Sequence, residues 1–386
     1  MSRDTIFSES ELTEIRENFP HTKTERVYLN HAAISPISWA VKQAIEKFIS
    51  DRHSGKIDNI EMGMSILQET RDLISGFVHA ESTEQITFMS NTSEGITAVA
   101  EGLDWNEGDE ILLNHMEFPT NVQPYRILDR FGVNVRYIEP VNNRVTPGMV
   151  ESAISSNTRL FSISAVQYLT GFKADLEAIG AICKKHNILF VVDAIQYLGA
   201  GTIDVQACNI DALSAGGHKW LMSPMGTGFL YLSEKLSKQL KPYKTGWLSV
   251  QEPWELSNFD QKWLPVSQHL EIGTPNMIGF AGMNASLKTL NSIGLSRITE
   301  NILNLTDYLT VKLSQQNNTQ LISPKEREER AGIVTFTTTD ITDTEAFVET
   351  LKKKNITISS REGKLRIAPH FYNTIEELDT VLNALI

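Results

Sequence analysis

The sequence predicts an α/β fold: a mostly parallel seven-stranded sheet flanked by helices, joined to a smaller α+β domain at its C-terminal end. Three observations lead there. Seven short β-rich runs (QITFM, EILLN, NVRYI, RLFSIS, ILFVV, IDALS and GFLYL) alternate with helical patterns between residues 85 and 232. Such alternation marks parallel strands joined by crossover helices. After about residue 270 the order changes to long helices followed by strands. The 386 residues, 41% of them apolar, also exceed the roughly 250 to 300 at which a single core stops growing.

The elements follow in order. Ser8 and Glu11 have capping-box spacing, so a helix begins there and ends near Pro20; residues 1–25 are expected to pack with the small domain. Within the large domain, residues 26–270, apolar residues recur at helical spacing over 93–101, 121–130 and 175–185. Residues 241–266 carry Trp247, Trp254 and Trp263 without a clear period. A structureless stretch of that length reads as an active-site or interface loop. Residues 271–386 form the small domain: long helices over roughly 276–316, strands at GIVTFTT and LRIA, and a closing helix from Thr374.

Composition narrows the function. A net charge of -12, with no basic run longer than residues 352–354, gives no electrostatic footprint for nucleic acid or an anionic membrane. The two cysteines, Cys183 and Cys208, have neither disulfide-framework nor metal-site spacing. The N-terminus lacks a signal-peptide apolar segment, and no run approaches the 18 apolar residues of a membrane span. A cytoplasmic protein working on a small molecule is expected.

The chemistry concentrates in a few segments. In SAGGHKWLMSPMGTGFL (residues 214–230), Lys219 follows Gly216, Gly217 and His218. A solitary lysine is ordinarily a solvated surface group. Two glycines permit close backbone approach, and a lysine held in a partly desolvated pocket becomes a Schiff-base nucleophile. Upstream, ILFVVDAIQYLG (residues 188–199) ends an apolar strand on Asp193, with Gln196 one helical turn further. Open α/β sheets bind ligands at that edge, although an acid there also serves as a helix N-cap. MSNTSEGIT (residues 89–97) runs a strand into a helix and offers Thr92 and Ser93 beside N–H groups suited to an anion. MEFPTN places Phe118, VQYLTG Tyr168, EIGTPN Thr274, KLRIAPHFYNT Arg366, and YLNHAAISP Asn30 and His31. A guanidinium such as Arg366 can hold a carboxylate through two parallel hydrogen bonds; its bland alternative is a surface ion pair.

In this order and over roughly residues 26–385, the motifs resemble class V aminotransferases. These are fold type I enzymes of pyridoxal 5'-phosphate that include cysteine desulfurases, kynureninase and isopenicillin N epimerase-like proteins. The resemblance implies that Lys219 carries the Schiff base, Asp193 meets the ring nitrogen and Gln196 the ring's phenolic oxygen. It assigns Thr92, Ser93 and His218 to the phosphate, Phe118 to the ring face, and Tyr168 to a place beside the ring. Arg366 would bind the substrate carboxylate, with Asn30 and His31 as further substrate contacts. Thr274 would reach the phosphate of a neighbouring subunit, implying a homodimer. Two departures stand out. Many relatives have serine where this chain has Gly216, which removes one phosphate donor. Desulfurases typically have Asn where this chain has Tyr168, which moves it towards the kynureninase and epimerase-like branches.

The resemblance also bears on the reaction. The desulfurase cysteine lies in the loop before the carboxylate-binding arginine, where this chain reads NITISSREGKLRIAP, with Ser359 and Ser360 but no cysteine. The expected activity is therefore an aminotransferase acting on an amino acid. An epimerase, or a C–S lyase of the desulfurase kind, is the alternative. A non-enzymatic scaffold would have no use for Lys219 beside a ring-nitrogen acid. The Lys219→Ala variant is expected to lose the borohydride-reducible chromophore while keeping its fold; a covalent adduct surviving in that variant would remove the assignment.

Overall fold

The computed structural model describes residues 6–56 and 60–385. Its first helix, Glu9–Glu17, is closed by the reciprocal Ser8 and Glu11 capping box and ends before Pro20. A two-residue strand, β1 (Val27–Tyr28), follows. The seven β-rich runs become β2 (Ile86–Met89), β3 (Glu110–Asn114), β4 (Asn134–Ile138), β5 (Thr158–Ser164), β6 (Leu189–Asp193), β7 (Ala212–Gly216) and β8 (Gly228–Leu232).

These seven form one sheet in the order β2-β8-β7-β6-β5-β3-β4. Only β8 runs against its neighbours. The sheet is covered on both faces, so β2, β3, β6, β7 and β8 are buried along their whole length, the pattern that removes a simple in-out alternation from the sequence. The period of two survives in how residues divide between the faces. Phe161, Ile163, Phe190 and Val192 join the core on one side, and Leu160, Leu189 and Val191 the core on the other.

Helices fall where spacing placed them, at Thr92–Gly102 and Leu176–Lys185, with one departure. Residues 121–130 form short turns, Pro119–Asn121, Gln123–Arg126 and Ile127–Phe131, instead of one helix. Pro119 and Pro124 each lack an N–H and suit only a first turn, so the chain restarts at each. The long helical stretch is likewise two helices, Met277–Ile293 and Leu295–Ser314, broken at Gly294 with φ of 94°.

Beyond them, β9 (Thr319–Leu321), β10 (Val334–Thr338), β11 (Ile356–Thr357), β12 (Ser359–Arg361) and β13 (Lys364–Ile367) follow. Four of these make an antiparallel sheet, β12-β13-β10-β9, while β11 pairs in parallel with β1. The chain's beginning thus lies along its end, and Asn30 continues the contact by bridging Ala368. Strands of two or three residues leave no readable period, which is why β9, β11 and β12 are not expected from sequence.

Trp220 sits where the C-terminal unit meets the large sheet. It is fully buried. Its indole N–H donates to Gln196 Oε1 at 3.0 Å, and its carbonyl accepts from His370 Nε2 at 3.0 Å. Gly332 lies against the ring so closely that an added Cβ would fall 2.1 Å from an indole carbon. Gly332→Ala must displace a packed ring, which costs roughly 1 to 3 kcal/mol, and should lower the urea midpoint. Gly148→Ala, whose Cβ would meet nothing within 4 Å, should not. Equal midpoints for the two variants would show that the ring is not held there.

Candidate active site

The carboxyl ends of β2, β3, β5, β6 and β7 share one edge of the sheet, and the residues singled out from sequence gather there. Lys219 lies in the connection from β7 to β8, which is held shut by Gly217 N–H to Thr227 O and Ser223 N–H to Gly217 O, both 2.8 Å. Its Nζ stands 5.7 Å from the centroid of the Phe118 ring. That ring meets Tyr168 edge-on, with centroids 5.2 Å apart. Burial lowers the Lys219 ammonium to about 8; the Asp193 charge opposes this, and Arg366 and Arg361 add to it.

Asp193 ends β6 and is 2% exposed. One oxygen accepts the Ile195 N–H at 3.0 Å; the other has no protein hydrogen bond among the described residues. Burial raises this carboxyl to about 7, against the pull of the Ile195 N–H and Lys219, and the charge of Glu117 raises it further.

An anion cradle lies beside them. Asn91 caps the helix Thr92–Gly102 by accepting the Glu94 N–H, while the N–H groups of Thr92 and Ser93 precede any intrahelical acceptor. Thr92 Oγ1 accepts the Gly216 N–H at 2.9 Å, and Ser93 Oγ pairs with Thr120 at 2.9 Å. A Cβ on Gly216 would lie 3.4 Å from both Thr92 Oγ1 and His218 Nδ1. The glycine therefore stands between the two side chains without separating them. Glu94, the first-turn acid, is turned away to Ser90 N–H and Lys244.

Arg366, on β13, is 2% exposed. Nε donates to Ser359 Oγ at 3.1 Å and Nη1 to the Tyr168 carbonyl at 2.6 Å. No carboxylate among the described residues comes within ion-pair distance of it. Buried cations are ordinarily paired with acids, so this one is set for an anion from outside. Burial, with Arg361 adding to it, lowers its value to about 9.

Other sequence candidates fare differently. His31 is fully buried with both ring nitrogens committed, Nδ1 to Ala368 O at 2.8 Å and Nε2 to the Tyr372 hydroxyl at 2.7 Å. It has no atom left for a substrate. Asn30 beside it keeps a buried Oδ1 without a partner. Gln196 spends its carbonyl on Trp220 and one amide hydrogen on Ala32 O, leaving one hydrogen. Thr274 is exposed, away from Lys219, in a groove of about 430 Å³ with Trp247 and Trp254.

Comparison with known proteins gives this geometry a context. A family model described as Aminotransferase class-V matches residues 27–381. The chain belongs to that family. A "Probable cysteine desulfurase" of Methanothermobacter thermautotrophicus is 29% identical over 97% of this chain and 96% of its own. An "Uncharacterized aminotransferase YcbU" of Bacillus subtilis is 28% identical over 94% of each. The solved apo structure of a cysteine desulfurase from Thermococcus onnurineus is 26% identical and superimposes with a TM-score of 0.88, covering 97% of this chain and 96% of that one.

As a class V enzyme the protein uses pyridoxal 5'-phosphate, and its donor set fits that cofactor. A deep acid with one unengaged oxygen suits the ring nitrogen, a free helix N-terminus with hydroxyls suits the phosphate, and a lysine of lowered proton affinity suits the aldehyde.

One residue beside the site escaped sequence reasoning. Glu117 is 8% exposed and receives four hydrogen bonds, from Asn114 Nδ2 (2.6 Å), Asn121 Nδ2 (3.0 Å), Ser164 N (3.0 Å) and Ser164 Oγ (2.6 Å). It ties the ends of β3 and β5 to the turn bearing Phe118. Its signal was an acid just past an apolar strand, with amides three residues before and four after.

The lysine can be tested without cofactor. An amine-directed reagent attacks only the neutral form, so labelling of Lys219 in the apoprotein should rise with an apparent midpoint of about 8, far below the ordinary 10.5. Asp193→Asn removes a charge that favours the ammonium and should move the midpoint lower still. A midpoint near 10.5 would contradict the buried geometry.

Proposed function

We propose that this class V enzyme is an aminotransferase acting on an amino acid. Arg366 would take the substrate carboxylate on its unengaged Nη2 face, and Lys219 would be the base that takes up the Cα proton. At neutral pH an amine with a value of about 8 is partly unprotonated, as a general base requires. Bound pyridoxal phosphate supplies the electron sink that makes the Cα proton removable. Asp193 would hold the ring-nitrogen proton, and Thr92, Ser93 and His218 the phosphate. Phe118 would press on the ring face, which restricts the substrate to the side where Lys219 stands.

The observation that carries this reading is the hairpin of β12 and β13. It closes on a two-residue turn, Glu362 and Gly363, both with positive φ (50° and 71°), and contains no cysteine. Cys183 is buried in the helix Leu176–Lys185, with burial pushing its thiol up to about 12. Cys208 borders a separate cavity. A relay through a protein persulfide therefore has no thiol to use. Direct C–S cleavage remains the second reading, favoured by the desulfurase names of several relatives. Epimerisation gains no support. Tyr168, raised to about 12 chiefly by burial, is bonded to Glu362, and His31 is committed elsewhere. We further infer a homodimer: Trp247 and Trp254, 44% and 64% exposed, line the groove that contains Thr274, and a second copy would cover them.

Single turnovers with L- and D-amino acids, L-cysteine included, separate the reactions. Without an oxo acid acceptor, an aminotransferase should release one equivalent of oxo acid per subunit and stop. Sustained sulfide release from L-cysteine would replace this reading with the lyase, and accumulation of the opposite enantiomer would replace it with the epimerase. Arg366→Ala should raise KM roughly ten- to a hundredfold, for about 1.5 to 3 kcal/mol of lost charged contact, with cofactor binding little changed. An unchanged KM would place the substrate carboxylate elsewhere.

A further inference from the structure

The hairpin that carries Arg366 presents a second cation on the same face. Cross-strand pairing sets Ser359 opposite Arg366, Ser360 opposite Leu365 and Arg361 opposite Lys364. Side chains alternate between faces along a strand, and directly opposed residues share one. Leu365 is fully buried in the core of the C-terminal unit, so Ser360 and Leu365 mark the inner face. Ser359, Arg361, Lys364 and Arg366 share the other.

That other face looks into the site. Arg366 donates to the Tyr168 carbonyl at 2.6 Å, and the Tyr168 hydroxyl meets Glu362 Oε1, at the hairpin tip, at 2.8 Å. Tyr168 in turn touches Phe118, beside Lys219. Glu362 is the hairpin's only acid, and it is engaged by Tyr168 and, at 3.9 Å, by Lys364. Arg361 is exposed, and its one hydrogen bond goes to the neighbouring Ser360 carbonyl. Among the described residues no carboxylate lies within 4.0 Å of either arginine. The proximity has an electrostatic signature: after burial, the Arg361 charge is among the causes that lower both Lys219 and Arg366.

Two guanidiniums without acids, on one face of one hairpin, are not balanced by one substrate carboxylate. We propose that Arg361 selects amino acids whose side chain ends in a second anionic group, a carboxylate or a sulfinate, bound while Arg366 holds the α-carboxylate. Arg361 lies across from Lys364, two residues along β13 from Arg366. That is about 7 Å of strand, a span the two arginine arms close onto a four- or five-carbon dicarboxylic amino acid. Lys364, level with Arg361 on the same face, is engaged by Glu362, which leaves the two guanidiniums as the cations open to a ligand. A neutral side chain would leave Arg361 in solvent and gain nothing from it. Arg361 is thus a specificity residue, and the inference rests on the reading of the site as one for amino acids.

The test compares charged and neutral partners on the holoenzyme: the isosteric pairs L-glutamate against L-glutamine and L-aspartate against L-asparagine, and L-cysteine sulfinate against the smaller L-cysteine. The wild type should favour the anionic member by about tenfold or more in kcat/KM, as expected for one charged contact. Arg361→Gln should erase most of that preference through KM, with the KM of the neutral substrates changing far less than that of the anionic ones. Absence of any preference in the wild type, or an equal loss on both members of each pair in the variant, would overturn the assignment. Calorimetric binding of glutarate and of butyrate gives a readout independent of turnover. Tighter glutarate binding that depends on Arg361 supports the proposal even if no amino acid reacts, a result that would sink the aminotransferase reading alone, whereas equal binding of the two acids counts against Arg361.

Discussion

The position of Trp220 is the constraint on which the rest of the site depends. Its ring is gripped by Gln196 from the large sheet and Gly332 from the C-terminal unit, and its carbonyl is held by His370. The residue before it is Lys219, whose backbone therefore cannot drift while the indole stays seated. The preceding carbonyl, that of His218, accepts the Ser35 N–H at 2.9 Å, which fixes the N-terminal segment against the same loop. Lys219, the helix N-terminus at Thr92 and Arg366 come from three stretches of chain, and this junction holds the first of them against the unit that carries the last.

Charge is distributed to match. Two buried acids lie under the site and behave differently. Glu117 is surrounded by four donors, so its charge is dispersed in a fixed network that braces the turn before Phe118. Asp193 has a single main-chain donor and keeps an oxygen open, so it is the acid able to exchange a proton with a ligand. Above them stand Lys219, Arg366 and Arg361, the last two without acids of their own. A cavity with this imbalance attracts anions and rejects cations at the same cost in desolvation. That accords with a phosphate-bearing cofactor and an amino acid entering by its carboxylate.

Much of this was legible in the sequence because it is local. The apolar runs of the large sheet, the strand-to-helix turn at Thr92 and Ser93 and the glycines before Lys219 each announce themselves within a few residues. Asp193 was readable because it ends an apolar strand, and Arg366 because it lies in a recognisable segment. What was hidden depends on contacts between distant segments. His31 sits in a motif that suggested substrate contact, yet its partners, Ala368 and Tyr372, come from the far end of the chain. Nothing near residue 31 signals them. Glu117 was overlooked because its donors include Ser164, and Arg361 because only the hairpin register reveals which face it shares.

The pairing of β1 with β11 has a consequence in time as well as in space. Synthesis proceeds from the N-terminus, and domains that are contiguous in sequence can fold as they emerge. Here the opening strand must wait: His31 Nδ1 and its acceptor on Ala368 are 337 residues apart in sequence. For most of translation β1 lacks the strand it pairs with and His31 lacks Ala368 and Tyr372, while the large sheet can already assemble. The pocket is completed last, when the final strands arrive and close the ring between the two ends of the polypeptide. A ribosome-bound chain truncated before β11 would therefore hold a formed central sheet with β1 unpaired, and without Arg366 it would offer no complete place for an amino acid.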